Sequence, residues 1–187
     1  MRWEPDSRGR LEQAAISLYG ERGFENTTVA EIASRAGLTE RTFFRHFADK
    51  REVLFAGGLL LQELIVSEVS GAPDSLPPVD AVAVGLEAAG AAIQERGDYP
   101  RQRQRMIAAS AELQERELIK LAALAARLAE ALRERGVDDP AASLTAEVGI
   151  AVFRIAVERW NEEDEPGDLP QLIRDSLDQL RAVTAGR

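Results

Sequence analysis

Apolar residues recur along this chain three to four positions apart, and no useful stretch alternates with the two-residue period of a half-buried strand. Ala, Leu, Glu and Arg, which form helices readily, dominate between the breaks, so an all-α fold is expected. Leu11, Ala14, Ala15, Leu18 and Tyr19 share one stripe and predict a first helix from about Arg8 to Arg22, ended by Gly23. Thr28 and Glu31 have the spacing of a capping box, in which the hydroxyl accepts from the Glu31 amide and the carboxylate from the Thr28 amide. A second helix therefore starts at Val29 and turns Val29, Ile32, Ala33 and Ala36 inward. It stops at Gly37, whose missing Cβ permits a left-handed turn, and Leu38 drops into the core. Thr39 caps a third helix to about His46, and Asp49 with Glu52 opens a fourth. Longer helices are expected at about 50–71, 78–97, 101–113, 115–135, 140–161 and 169–184. Gly71 with Pro73, Pro77 with Pro78, and Gly136 before Asp139-Pro140 punctuate them.

Charge sharpens this picture. The net charge of −9 suits no nucleic-acid partner until it is divided along the chain. Nine basic and nine acidic residues balance over 1–55, so all the net acidity lies downstream. Between 35 and 51, the five residues Arg35, Arg41, Arg45, Lys50 and Arg51 face only Glu40 and Asp49, a local surplus of the kind phosphates select. The domain division that follows is a helix-turn-helix unit over 1–55 and a helical body over 56–187.

Composition removes other chemistries. With no cysteine and one histidine, thiolate zinc sites, disulfides and most triads are excluded, and no metal or cofactor is expected. No Gly-rich phosphate loop or nucleophile motif is visible, so an enzyme is not expected. The acidic run Glu162, Glu163, Asp164, Glu165 lacks the alternating spacing of a calcium loop and reads as solvated turn. No apolar run approaches the roughly 20 residues of a bilayer span, and the first residues lack the apolar core of a signal peptide. No membrane partner and a cytoplasmic location are expected.

The second helix, its Gly-Leu turn and the third helix form a helix-turn-helix, whose second helix enters the DNA major groove while the first braces it. Away from Phe43 and Phe47, which are assigned to the core with Phe24, the third helix offers Glu40, Arg41, Phe44 and Arg45. Thr39 and Thr42 add short hydroxyls beside the backbone. Arginine can bond bidentately to guanine, and threonine can bond phosphate or touch a thymine methyl. Thr28, Thr39 and Asp49 would serve as caps with or without DNA, and His46 could be a packed ring. Arg2 and Arg8 could reach a minor groove as an arm; Trp3 could pack on the first helix.

Residues 24–54, FENTTVAEIASRAGLTERTFFRHFADKREVL, resemble the DNA-binding segment of TetR-family transcriptional regulators. The resemblance rests on the T-V-x-x-I-A-x-x-A-G-L spacing, the T-F-F-R-H-F run and the closing D-K-x-x-V-L, and covers about a sixth of the chain. It implies Thr28, Thr42, His46 and Lys50 as phosphate partners and Glu40 and Arg41 as base readers. Phe44 departs from the family, where tyrosine is common: either Arg45 supplies the phosphate contact, or Phe44 packs on a sugar or a thymine methyl. The family also implies a homodimer on double-stranded operator DNA, with repression relieved by a small-molecule effector. A helical adaptor that no longer binds DNA is the alternative.

In the body, the eighth helix carries apolar residues on two sides: Leu144, Val148, Val152 and Ile155 on one, Ile150, Phe153, Val157 and Trp160 on the other. A surface helix needs one such face, so the second is assigned to a dimer interface, completed by Ile173, Leu177 and Leu180 of the last helix. Small residues from Ala81 to Ala92 leave room for a ligand or let helices approach closely. Arg101, Arg103, Arg105 and the segment Met106–Arg116 are similar to regulators grouped with acyl-CoA-like ligand binding. That similarity implies Arg103 as an anion partner, Met106, Ile107, Phe153 and Trp160 as apolar lining, and an acyl-CoA-like or fatty-acid effector.

Overall fold

The computed structural model describes residues 6–162 and 167–186. Among them there are nine helices and no strand, as the helical spacing requires: α1 (Ser7–Arg22), α2 (Val29–Arg35), α3 (Glu40–His46), α4 (Gly58–Gly71), α5 (Pro78–Gln94), α6 (Tyr99–Ala108), α7 (Ala111–Glu134), α8 (Asp139–Glu162) and α9 (Leu169–Thr184). Trp3, Arg2 and most of the acidic run lie outside the described residues.

The chain divides into two compact units. The first comprises 1–58 together with 101–117, a segment that a linear split at 55/56 assigns to the body. Its core is built from Leu11, Ala15, Leu18 and Tyr19 of α1, Ile32 of α2, Phe43 of α3, and Phe24, Phe47, Val53, Leu54 and Phe55 between helices. Ile107 and Leu113 complete it. Burying so many large side chains is what holds so small a unit together.

Two boundaries differ from the sequence expectation. The fourth helix begins at Gly58, not near 50. Asp49 does cap, its Oδ1 accepting from the amides of Arg51 (2.8 Å) and Glu52 (3.2 Å), but 50–57 then closes as successive i to i+3 turns. Val53, Leu54 and Phe55 are all buried, which one face of a regular helix cannot achieve for three consecutive residues, and Gly57-Gly58 weakens helix further. The α6/α7 break lies at 109–110. There the Ser110 hydroxyl binds Glu25 at 3.1 Å, and the Gln114 side-chain amide donates to the Ala108 carbonyl at 2.8 Å, stapling the new helix to the end of the old.

The second unit, residues 59–100 and 118–187, packs α5, α8 and α9 against α4 and the rest of α7. Its core includes Ile65, Val69, Val82, Leu86, Leu124, Leu128, Leu132, Ile150, Phe153, Trp160, Leu169 and Ile173. The small residues serve close approach: a Cβ on Gly85 would lie 2.7 Å from the Ile65 carbonyl oxygen, and one on Gly149 would lie 2.6 Å from Val82. Of the residues expected at a dimer interface, Ile150, Phe153, Trp160, Ile173 and Leu177 are buried within the single chain, while Val157 is partly buried against the same core and Leu180 against a smaller cluster with Ala83, Val152 and Leu177. On the other side of α8, Leu144 and Ile155 are exposed, while Val152 is buried and Val148 packs against the smaller cluster. An 18-residue window of α8 reaches a mean hydropathy of 1.4, enough by length and composition for a membrane span; several of its apolar residues, from Ala142 to Trp160, instead close this core.

Candidate nucleic-acid interface

The reading helix is held by three local devices. At the start of α2 the capping box forms in full: the Glu31 amide donates to the Thr28 hydroxyl at 3.2 Å and the Glu31 carboxylate accepts from the Thr28 amide at 2.9 Å. At its end, Gly37 takes φ 66°, while the Gly37 amide bonds Ser34 and the Leu38 amide bonds Ala33, the paired closure that a left-handed residue makes possible. An Arg10 guanidinium from α1 binds the neighbouring Ala36 carbonyl. The turn then delivers Thr39, whose hydroxyl accepts from the Thr42 amide at 3.2 Å and lies 3.0 Å from the Thr42 hydroxyl.

Phe43 pins α3 from beneath, fully buried and 5.4 Å from Phe47. Its opposite face bears Glu40, Arg41, Phe44 and Arg45, all exposed. Among the described residues Arg41 and Arg45 have no hydrogen bond or ion pair, which sets them apart from Arg22, Arg35 and Arg51. Arg22 pairs with Glu31 at 2.8 Å, Arg35 holds both Glu21 oxygens at 2.9 Å, and Arg51 pairs with Asp49 at 2.5 Å and Glu112 at 3.0 Å. These pairs hold the Glu21 and Asp49 carboxyls below the ordinary carboxylate range, Glu21 at about 2. The basic surplus over 35–51 thus narrows to two guanidinium groups on one helix face.

Two expected phosphate partners are engaged inside the unit. The Lys50 ammonium donates to the carbonyls of Phe24 (2.9 Å) and Thr27 (3.0 Å) and sits 4.2 Å from the Phe24 ring centre, so two of its three protons tie down the loop before α2. Above it the Tyr19 hydroxyl donates to the Lys50 carbonyl at 2.6 Å, and burial pushes that phenol upward. The half-buried His46 ring has its Nε2 buried without a partner; burial first, then the charges of Arg45 and Arg8, lowers its pKa. Thr28 and Thr39 are exposed and Thr42 half-exposed. Arg8 is no free arm: it donates to the Ala56 carbonyl at 2.8 Å and pairs with Glu12.

The candidate ligand residues divide between the two units. Arg103 donates to both Glu117 oxygens and to the Leu54 carbonyl, and Met106 and Ile107 pack in the first core, whereas Phe153 and Trp160 belong to the second. Arg103 thus braces the first unit through these bonds. Sequence reading missed the Ser110–Glu25 bond and the pairs Arg51–Glu112 and Arg116–Glu52, which fasten 101–117 to the reading unit; partners 61 to 85 residues apart leave no local signal.

Residues 12–56 match the family model described as bacterial regulatory proteins, tetR family, and residues 76–185, more than half the chain, match the MftR C-terminal domain. The chain belongs to the TetR family of transcriptional regulators. Among curated relatives, the HTH-type transcriptional regulator TcmR of Streptomyces glaucescens is 33% identical over 82 residues, 44% of this chain and 36% of TcmR. The chain thus matches about a third of that relative's length. Among solved structures, SmeT in complex with triclosan aligns with TM-score 0.69 at 22% identity, covering 95% of this chain and 90% of SmeT, the repressor of a Stenotrophomonas maltophilia multidrug efflux pump. FadR of Thermus thermophilus, a transcriptional repressor in complex with lauroyl-CoA, aligns with TM-score 0.59 at 23% identity over 93% of each chain. At these identities the alignments carry the all-α fold, with its N-terminal helix-turn-helix and C-terminal helical domain.

Proposed function

We propose that this TetR-family chain is a repressor that binds a roughly palindromic operator as a homodimer and leaves it when a small molecule occupies the body. Residues 1–55 hold the DNA and the remainder binds effector and partner, with 101–117 grouped structurally with the reading unit. The observation that carries the reading is the exposed face of α3, where Arg41 and Arg45 stand unpaired while Arg22, Arg35 and Arg51 beside them are neutralised. Unpaired guanidinium groups can meet guanine and phosphate without first breaking an internal bond. Glu40 at the first turn can accept from a cytosine amine, and Thr28, Thr39 and Thr42 supply neutral phosphate contacts. His46 and Lys50 support the reading less, given their internal engagement.

The dimer reading moves to the open side of α8. Leu144 and Ile155, 11 residues apart on one face, are 67% and 45% exposed, and half-buried Val148 lies between them. Large apolar groups so exposed are suited to a two-fold contact with a second copy, which would space two reading helices by one or more DNA turns. For the effector, an acyl-CoA-like thioester or a fatty acid is the first class to examine, supported by the similarity of 101–116 to acyl-CoA-responsive regulators and by the lauroyl-CoA of the FadR relative.

Selection from random duplexes with purified full-length chain tests the DNA reading: salt-dependent recovery of a palindromic sequence is expected. Recovery of no sequence would favour the adaptor alternative. Acyl-CoA thioesters, free fatty acids and coenzyme A alone, each added to the complex, then test the effector class by DNA release. If none releases DNA, the acyl reading falls while the repressor reading stands.

A further inference from the structure

Phe44 is the one large apolar side chain that the described residues of the first unit leave exposed, at 55%. On α3, Glu40 and Arg41 lie one turn before it and Arg45 beside it, so its ring shares the exposed surface with both guanidinium groups. A concavity on that face is lined by Arg41, Thr42, Phe44 and Arg45. Beneath it the fully buried Phe43 ring meets Phe44 edge to face, with centroids 5.5 Å apart and planes at 83°, so a rigid neighbour supports the exposed ring.

We infer that Phe44 recognises the 5-methyl group of a thymine in the operator major groove, making this position a sequence-specifying contact. The inference rests on the DNA-binding reading above. A phenyl ring offers neither donor nor acceptor, so among base edges it discriminates only through apolar contact, and thymine alone presents a methyl group there. The two flanking guanidinium groups select the occupant. An apolar protein surface pressed on this face would strip water from Arg41 and Arg45 without replacing it, whereas a DNA groove offers phosphate and guanine acceptors beside the methyl.

The experiment uses full-length chain and the selected operator, replacing each thymine of a half-site in turn by deoxyuridine, which removes the methyl group and leaves the pairing edge unchanged. One replacement is expected to weaken binding about fourfold, the effect of one buried methyl-sized group. In the Phe44→Ala variant the same replacement should have no effect, and Phe44→Leu should keep part of it. Circular dichroism of both variants should match wild type, because an exposed side chain is being changed. The inference is overturned if no deoxyuridine replacement weakens binding, if the loss persists in Phe44→Ala, or if Phe44→Ala weakens all sequences equally. Failure of wild type to bind any selected duplex would instead overturn the DNA-binding reading itself, and this inference with it.

Discussion

Replacing Arg41 with alanine should separate base reading from general charge attraction. Arg41 is exposed on the outward face of α3 and has no partner among the described residues, so its removal breaks no bond there and strands no acidic group. A bidentate arginine–guanine contact contributes about 1–3 kcal/mol of discrimination, which is about 5- to 150-fold in affinity. The matched control is Arg35→Ala on α2. Arg35 already holds Glu21 and Ser17, so its charge is neutralised in the free protein, and operator binding should change by no more than about twofold, the usual surface effect. Fluorescence anisotropy on the selected operator, repeated with each guanine changed to adenine, reads both quantities. Arg41→Ala should lose affinity for the intact operator and lose its preference at one guanine per half-site. Equal losses in the two variants, or unchanged base preference in Arg41→Ala, would refute the reasoning that unpaired charge marks the reading face.

Three further outcomes test other parts of the structure. Gly85→Ala should lower the denaturation midpoint by about 1–3 kcal/mol of overpacking, because its Cβ would sit 2.7 Å from the immovable Ile65 carbonyl oxygen; unchanged stability would mean that α4 and α5 are not so close. Leu144→Glu combined with Ile155→Glu should convert dimer to monomer in sedimentation while leaving helicity unchanged, and persistence of the dimer would remove this face from the interface. The His46 pKa is depressed below its ordinary 6.5, so the unfolded chain takes up the proton more readily and the stability present above about 6.5 is lost as pH falls through the folded value. The urea midpoint should therefore drop between neutral and mildly acidic pH in wild type; an identical drop in His46→Gln would assign it to another group.

Much of the reading unit was legible in the sequence because its decisive signals are local. The Thr28–Glu31 box, the left-handed Gly37 and the Thr39 cap each act within four residues, and each forms with the expected partners. Helical period likewise separated buried Phe43 from the outward Glu40, Arg41, Phe44 and Arg45. Period could count the two apolar sides of α8 but not say which one faces inward. That depends on what packs there: Gly149 admits Val82 against one side, and Ile150, Phe153 and Trp160 follow it into the core.

The charge reading failed for a related reason, and its failure carries a consequence. Formal charges between 35 and 51 suggested a broad basic footprint, but Arg35 finds Glu21 14 residues back, Lys50 reaches carbonyls 23 and 26 residues back, and Arg51 meets Glu112. None of these pairings is visible in a window of sequence. Once they are made, the outward face of α3 offers two free guanidinium groups and neutral hydroxyls beside them, so on the proposed reading this face displaces few counterions when it docks. On the proposed reading such a face gains little from charge alone, and its hold on DNA depends on base-edge fit and on a second copy of the chain. On the proposed reading the exposed face of α8 sets operator affinity as much as α3 does, and disrupting it should weaken binding even with every residue of α3 intact.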